Sequence, residues 1–169
     1  MKKHLLIILM VVALFMVTGC GPVIQDNGKK EAKGNNSTEG KFIINGYDLT
    51  LNEDSSFSKI KFKYPHDAII SNPITSLIVD YKKPGSDESL VRVVMGDMYG
   101  TKIESSMEGF TLEETTTING IEWSVYSKSG RRSYGFNIDY SNIVIGFIYD
   151  DPELAKFEEE FMKNVTLAN

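Results

Sequence analysis

Two Asn-Gly pairs separate stretches of alternating apolar residues, and they constrain the fold more than any other feature of this 169-residue chain. Asn45-Gly46 stands between "KFII" and "YDLTL", and Asn119-Gly120 stands between "TTTI" and "IEWSVYS". A two-residue type I′ turn needs positive φ at both central positions, which Asn and Gly adopt readily. Each pair therefore predicts a tight β-hairpin. Further turns are predicted near Ser129-Gly130 and near Ser141-Asn142.

These turns specify a register for residues 112–149. With two-residue turns, Trp123 lies opposite Phe136, and Phe136 lies opposite Phe147. The same register places further apolar residues beside them in two more rows, Ile121 with Ile138 and Ile145, and Val125 with Tyr134 and Tyr149. A slip of one residue would scatter these side chains over both faces. The pattern therefore predicts a four-stranded antiparallel meander with a single core face.

The opposite face of this meander is dominated by small residues, and it is our candidate binding surface. Its central members are Ser124, Tyr126, Gly135 and Gly146. Glycine inside a strand often marks the close approach of another backbone or of a ligand. Two alternatives remain open from the sequence: the face is solvated, or a short helix in "TKIESSMEGF" packs against it.

The segments on either side of the meander complete the predicted fold. "DPELAKFEEEFMKNV" has a capping Asp151, and Leu154, Phe157, Phe161 and Val165 form one apolar stripe, which predicts an amphipathic C-terminal helix closing the core over Trp123. "FSKIKFKYP" alternates strictly and predicts a strand, and "TSLIVDYKK" and "SLVRVVMG" predict two more. The lysine row of the first strand, Lys59, Lys61 and Lys63, faces either solvent or an anionic surface.

Together these elements predict an α+β domain, in which a C-terminal meander and N-terminal strands form an antiparallel sheet covered by the C-terminal helix and a second short helix. Over residues 57–167 this order of elements resembles the Mog1/PsbP-like domains of small bacterial lipoproteins. The resemblance implies an α/β/α-like sandwich that serves in binding or assembly. It implies no chemistry, because a fold by itself does not define a function.

The N-terminus carries the most specific motif of the chain. Lys2 and Lys3 precede an uncharged apolar run at residues 5–17, as in a secretory signal peptide, and the run is shorter than the roughly 20 residues that span a bilayer. Val17-Thr18-Gly19-Cys20 resembles the lipobox of bacterial lipoproteins. The resemblance implies a diacylglyceryl group on the sulfur of Cys20 and cleavage between Gly19 and Cys20. It also implies an outward-facing, lipid-anchored location at the cell membrane. The excess of lysine over arginine in the sequence favours a Gram-positive cell.

Three regions follow from this motif: a lipoprotein signal peptide at 1–19, the lipidated cysteine with a flexible tether at 20–40, and a single globular domain at 41–169. Residues 21–40 are polar and lack any periodic apolar pattern. Because Cys20 is the only cysteine and is used by the lipid, we expect a domain stabilised by its hydrophobic core. The acidic balance, a net charge of −5 for the whole chain, argues against a nucleic-acid partner.

The sequence offers little for catalysis, and we expect neither a cofactor nor a metal. The predicted mature chain keeps a single histidine, His66, and the usual motif of a serine nucleophile is missing. The acidic clusters "NEDSS" and "YDDPE" lack the spacing of a calcium loop and are interpreted as a turn and a helix cap.

We therefore expect a non-catalytic lipoprotein that binds a protein or a wall component at the cell membrane. Two other hypotheses remain open. An inhibitor or immunity-type lipoprotein would present a protruding loop or an acidic patch. A carboxylate-dependent hydrolase would hold at least two acidic side chains in a deep cleft.

Overall fold

β-Strands dominate the part of the chain that can be described. The computed structural model describes residues 40–168, of which 54% lie in strands and 12% in helices. The predicted α+β class, including a sandwich of the Mog1/PsbP-like type, is therefore wrong, because residues 40–168 are mostly β, with one short C-terminal helix and a single helical turn. Two local features explain the difference: the first helix stops after one turn, and an acidic segment predicted as a turn extends a strand.

The strands form three antiparallel sheets. A hairpin of β1 (Ile43–Ile44) and β2 (Tyr47–Asp48) precedes β3 (Leu51–Phe57) and β4 (Ile60–Pro65). Next come β5 (Ile69–Ser71), β6 (Ser76–Lys82), β7 (Ser89–Asp97), β8 (Thr111–Ile118), β9 (Ile121–Lys128), β10 (Arg131–Ile138), β11 (Ser141–Ile148) and β12 (Thr166–Leu167). The main sheet has the order β5-β6-β7-β11-β10-β9-β8, and β12-β4-β3 form a smaller sheet.

The four strands predicted for residues 112–149 are present as β8 to β11. Asn119 and Gly120 both have positive φ, 51° and 77°, and Ser129 and Gly130 have 53° and 76°, as two-residue turns of this hand require. In the hairpin of β1 and β2, Asn45-Gly46 has the same geometry, with φ of 50° and 82°. Local turn chemistry thus places these three hairpins correctly.

The last predicted turn is displaced by two residues. Ile138 pairs with Ser141, so the turn lies at Asp139–Tyr140 and not at Ser141-Asn142. Tyr134 consequently faces Ile145, where Tyr149 was predicted. An even displacement keeps every side chain on its predicted face, because side chains alternate with a period of two. Asp139 adopts φ 52°, a conformation that Asp tolerates better than most residues.

The short helix predicted in "TKIESSMEGF" is reduced to one turn, α1 (Ile103–Ser106). Its N-cap residue, Lys102, makes no side-chain cap hydrogen bond, so the first turn lacks the usual stabilisation. Gly109 then adopts a φ of +83°, which directs the chain out of a helical path and toward β8.

The acidic segment "NEDSS" lies inside β3 and does not form the predicted turn. β3 pairs with β4 through Asp54 opposite Lys63 and Ser56 opposite Lys61, and the reversal lies at Ser58, with φ 52°. The polar residues are tolerated because one face of the small sheet is exposed. Ile60 and Phe62, on the other face of β4, are 0% and 2% exposed.

The main core lies between the seven-stranded sheet on one side and the C-terminal helix with the small sheet on the other. α2 (Ala155–Lys163) follows a 3₁₀ turn at Pro152–Leu154, whose N-cap Asp151 accepts a hydrogen bond from the backbone of Glu153. The predicted stripe of Leu154, Phe157, Phe161 and Val165 is buried. The Phe161 ring lies 5.6 Å from that of Phe147 and 5.7 Å from that of Phe62, so it connects the C-terminal helix to both the main sheet and the small sheet.

Candidate functional site

The predicted lipidation residue, Cys20, and the residue before the predicted cleavage point, Gly19, lie outside the described residues. The predicted signal peptide and tether lie outside them as well. The geometry of the candidate site therefore concerns the domain alone.

The small-residue face predicted to bind a ligand is largely occupied by the protein itself. Tyr126, Gly135 and Gly146 are buried, and Ser124 is partly exposed. Ile103 of α1 packs against Gly135, and it shares a second apolar cluster with Met107, Tyr126 and Val144. The glycine at 135 thus makes room for α1, which was the alternative left open by the sequence. This face does not form an open surface at Tyr126 or Gly135.

A groove beside this face remains open where β9 and β10 part. Their ladder runs from Arg131 opposite Lys128 only as far as Gly135 opposite Ser124. Beyond that point, residues 121–123 of β9 pair only with β8, and residues 136–138 of β10 pair only with β11. The gap forms a groove of about 320 Å³, which we call the β9–β10 cleft; it is lined by Gly120, Glu122, Ser124, Gly135, Asn137 and Leu167, among others.

The β9–β10 cleft combines polar and apolar groups. Glu122 and Asn137 are exposed and supply an acidic and an amide side chain, while Leu167 of the last strand supplies an apolar edge. Two of the four predicted surface residues, Ser124 and Gly135, contribute to this lining. Its volume lies at the lower end of the roughly 300–1,000 Å³ typical of ligand pockets. Sequence reasoning missed this cleft, because the parting of two strands depends on how the whole sheet twists.

A buried acidic residue, Glu158, forms the most extensive polar cluster of the core. It is 1% exposed, and its carboxylate accepts hydrogen bonds from the hydroxyls of Tyr134 at 2.7 Å and Tyr149 at 2.9 Å. Arg132 approaches the same carboxylate at 3.6 Å and also binds Glu114 at 3.2 Å. Burial and the neighbouring carboxylate raise the pKa of both tyrosines above the usual range. The cluster ties α2 to the main sheet.

Sequence reasoning also missed this cluster, although a signal exists. Glu158 stands four residues after Leu154 and three before Phe161, within the apolar stripe of the helix. A charged residue in such a stripe requires a buried partner. Only the sheet, however, determines that Tyr134 and Tyr149 provide it.

The lysine row of β4 faces outward, as predicted. β4 lies between β12 and β3, so it is the central strand of the small sheet. Lys59 and Lys61 are exposed, and Asp54 stands opposite Lys63 across the strand pair. The negative neighbour reduces the positive potential of this face.

His66 is exposed, and its Nδ1 lies 2.6 Å from a carboxylate oxygen of Glu53. A hydrogen bond and the charge of Glu53 raise the pKa of this histidine. Within residues 40–168, groups of three or more histidine, cysteine, aspartate or glutamate side chains that could hold a metal ion are absent.

Comparison with known proteins gives no family assignment. The chain matches no protein-family model, and no curated protein matches it significantly. Over the described residues, no helix is both long and apolar enough to cross a membrane.

Proposed function

We propose that this chain is a bacterial lipoprotein, held to the outer surface of the cell membrane by a diacylglyceryl group on Cys20, and that its domain binds a partner there. The observation that carries the proposal is the order of features at the N-terminus: Lys2 and Lys3, an apolar run at 5–17, and Val17-Thr18-Gly19-Cys20. A diacylglyceryl group supplies two acyl chains, and two chains give stable membrane anchoring where one gives only marginal binding.

Residues 21–40 would then act as a tether between the lipid and the domain. Their composition is polar and rich in glycine, asparagine and lysine. Such a segment lacks the apolar residues needed to form a core. The domain that begins near Lys41 would thus reach partners at the membrane or in the wall.

The β9–β10 cleft is the surface we assign to the partner. It is open to solvent, and it offers both hydrogen-bonding and apolar groups, which is the usual character of a binding site. A binding role also agrees with the chemistry of the mature sequence. The only histidine left after cleavage would be His66, which is exposed and paired with Glu53.

The anchor is tested by expressing the full chain in a Gram-positive host and measuring the mass of the mature protein. We expect an N-terminus at Cys20 with the added mass of a diacylglyceryl group, and recovery in the membrane fraction. Cys20→Ser should lose both the added mass and membrane recovery. Thr18→Ser, which keeps a small residue in the motif, is the matched control. An unmodified wild-type cysteine would contradict the proposal.

The binding surface is tested separately with a photo-crosslinking amino acid in living cells. Asn137 lines the cleft, and Asn52 is an exposed asparagine on β3. We expect one discrete crosslinked product from position 137 and none from position 52. Equal products from both positions, or none from position 137, would show that the cleft is not the binding surface.

A further inference from the structure

Three chain reversals meet at the end of the main sheet where β11 begins. The backbone N–H of Gly100 donates to the carbonyl of Tyr140 at 2.8 Å, and that of Met98 donates to the carbonyl of Asn142 at 3.0 Å. On the other side of β7, the N–H of Asp97 donates to the carbonyl of Thr75 at 3.4 Å. The loops at 72–75, 98–101 and 139–140 are therefore neighbours in space.

Each of these loops exposes a large side chain with apolar surface. Ile74 is 104% exposed, Tyr99 is 77% exposed and Tyr140 is 76% exposed. The rings of Tyr99 and Tyr140 are 6.4 Å apart between centroids. We call the surface formed by Ile74, Tyr99 and Tyr140 the aromatic end. Single exposed apolar residues are common on proteins, whereas a group at adjacent loop tips is typical of an interaction site.

Charges around the aromatic end are of both signs. Lys102 follows the loop of Tyr99 and is exposed, and Asp139 precedes Tyr140 in its turn. Lys59 adjoins Ser58, whose hydroxyl donates to the carboxylate of Asp97. A surface of mixed charge lacks the strong positive potential that attracts anionic lipid or nucleic acid over a distance. Its distinctive feature is the pair of tyrosines with the isoleucine.

We propose that the aromatic end docks into the interfacial layer of the same membrane that holds the lipid of Cys20. This inference rests on the proposed function, because it requires the anchor. Tyrosine suits the interface, since its ring is apolar and its hydroxyl remains hydrated, and tyrosine is enriched where proteins meet the headgroups of a bilayer. Ile74, at the tip of its loop, adds apolar surface to the contact.

The chain length outside the described domain permits this orientation. The hairpin through which the chain enters the domain lies near the far end of β11, because the side chain of Asn45 donates to Asp151, just beyond that strand. β11 has eight residues and is therefore about 26 Å long. Residues 21–40 can span at most about 70 Å when fully extended, which is ample to reach from the bilayer past the whole sheet.

Docking would also fix the orientation of the β9–β10 cleft. The turn at Asn119–Gly120, beside the cleft, lies at the same end of the sheet as the turn at Asp139–Tyr140, because β9 and β11 run in the same direction. A docked domain would hold the cleft close to the membrane surface. A lipid-linked partner would then approach it within the plane of the bilayer.

The test uses the full-length lipidated protein in phosphatidylcholine vesicles that contain a lipid spin-labelled near its headgroup. Tyr99→Trp and Tyr140→Trp each place a fluorescent reporter at the aromatic end. Leu112→Trp is the matched control, since Leu112 is 55% exposed on β8 at the opposite end of the sheet. The natural Trp123 is fully buried, and the wild type supplies its background emission.

We expect the spin label to reduce the added emission at positions 99 and 140, and to leave that of position 112 unchanged. Adding Ile74→Asp to either reporter variant should abolish the loss of emission, because a charge at the tip resists burial. Replacing a part of the phosphatidylcholine by an anionic lipid should not strengthen quenching appreciably. No loss at positions 99 and 140, or equal loss at all three positions, would overturn the proposal.

The mass of the purified wild-type protein separates the two proposals. A protein without the diacylglyceryl group refutes the lipoprotein function, and with it the docking. A correctly lipidated protein whose reporters at positions 99 and 140 are unquenched refutes the docking alone.

Discussion

Ile103 lies directly over Gly135, so close that a Cβ on the glycine would stand 2.4 Å from the Cδ1 of the isoleucine. This contact seats the single turn of α1 on the outer face of the main sheet, where Ile103 is 2% exposed. It explains why a glycine occurs in the middle of β10, a position at which glycine weakens a strand.

Gly135→Ala should therefore destabilise the domain. The added methyl group overlaps both Cδ1 and Cγ1 of Ile103, so α1 must shift, at a cost of about 1–3 kcal/mol. Chemical denaturation of the purified protein measures the loss. Gly96→Ala is the control, because its Cβ would meet only the flexible end of Met98 at 3.8 Å. In the background of Ile103→Ala, Gly135→Ala should cost less than it does in the wild type. An equal cost in both backgrounds would show that the overlap is not the cause.

Glu158→Ala should be among the most damaging substitutions in the helix. It leaves the hydroxyls of Tyr134 and Tyr149 without their acceptor and removes the buried partner of Arg132, which we expect to cost about 3–5 kcal/mol. Chemical denaturation measures the free energy of unfolding of Glu158→Ala and of the control Glu159→Ala, which changes the neighbouring residue on the same helix. A loss no larger in Glu158→Ala than in Glu159→Ala would contradict the structural role of this cluster.

The same cluster should make the protein sensitive to alkaline pH. The pKa values of Tyr134 and Tyr149 are raised in the folded state, first by burial and then by Glu158. Their stabilising contribution is complete below the unfolded pKa of about 10, and it declines as pH rises above that value toward the folded pKa values. Absorbance titration should show these two phenols ionising only with unfolding. Tyr134→Phe should move the alkaline unfolding transition to higher pH, and an unchanged transition would contradict this linkage.

Asn119 should contribute to stability beyond its turn. Its amide donates to the carbonyls of Lys163 at 2.7 Å and Val165 at 2.8 Å, so it caps the end of α2 from the β8–β9 turn. Asn119→Gly preserves the positive φ and removes only the amide, with an expected loss of about 1–3 kcal/mol. Asn45→Gly is the matched control, since Asn45 has the same turn geometry and its amide donates to Asp151 in an exposed hydrogen bond. If thermal unfolding shows that Asn119→Gly and Asn45→Gly lower the stability equally, Asn119 does not cap α2.

His66 should titrate above the usual pKa of histidine, about 6.5. Its hydrogen bond to Glu53, followed by the charge of that residue, favours the protonated ring in the folded state. The resulting stabilisation is present below the unfolded pKa and is lost as pH rises through the higher folded pKa. It should be small, because the histidine side chain is 73% exposed. NMR titration of the imidazole should show Glu53→Gln lowering this pKa, and an unchanged value would exclude the contact in solution.

The sequence by itself determined the local features of the domain. Asn119-Gly120 and Ser129-Gly130 specified their hairpins, because positive φ is a property of the turn residues themselves. The alternation of apolar residues through Trp123 and Phe136 specified the core face. The prediction of this face is correct although the last turn lies at Asp139–Tyr140, because a displacement by an even number of residues leaves each side chain on the same face. The apolar stripe of α2 likewise specified which side of the helix is buried.

Only the tertiary structure decided what lies against each face. Tyr134, which binds the buried carboxylate of Glu158, stands 24 residues away in the chain. The contact of Ile103 with Gly135 likewise joins distant residues, and it converted a predicted binding face into a packing surface. Short-range conformational preferences are carried by neighbouring residues, whereas burial depends on contacts between distant ones, and these override local propensity.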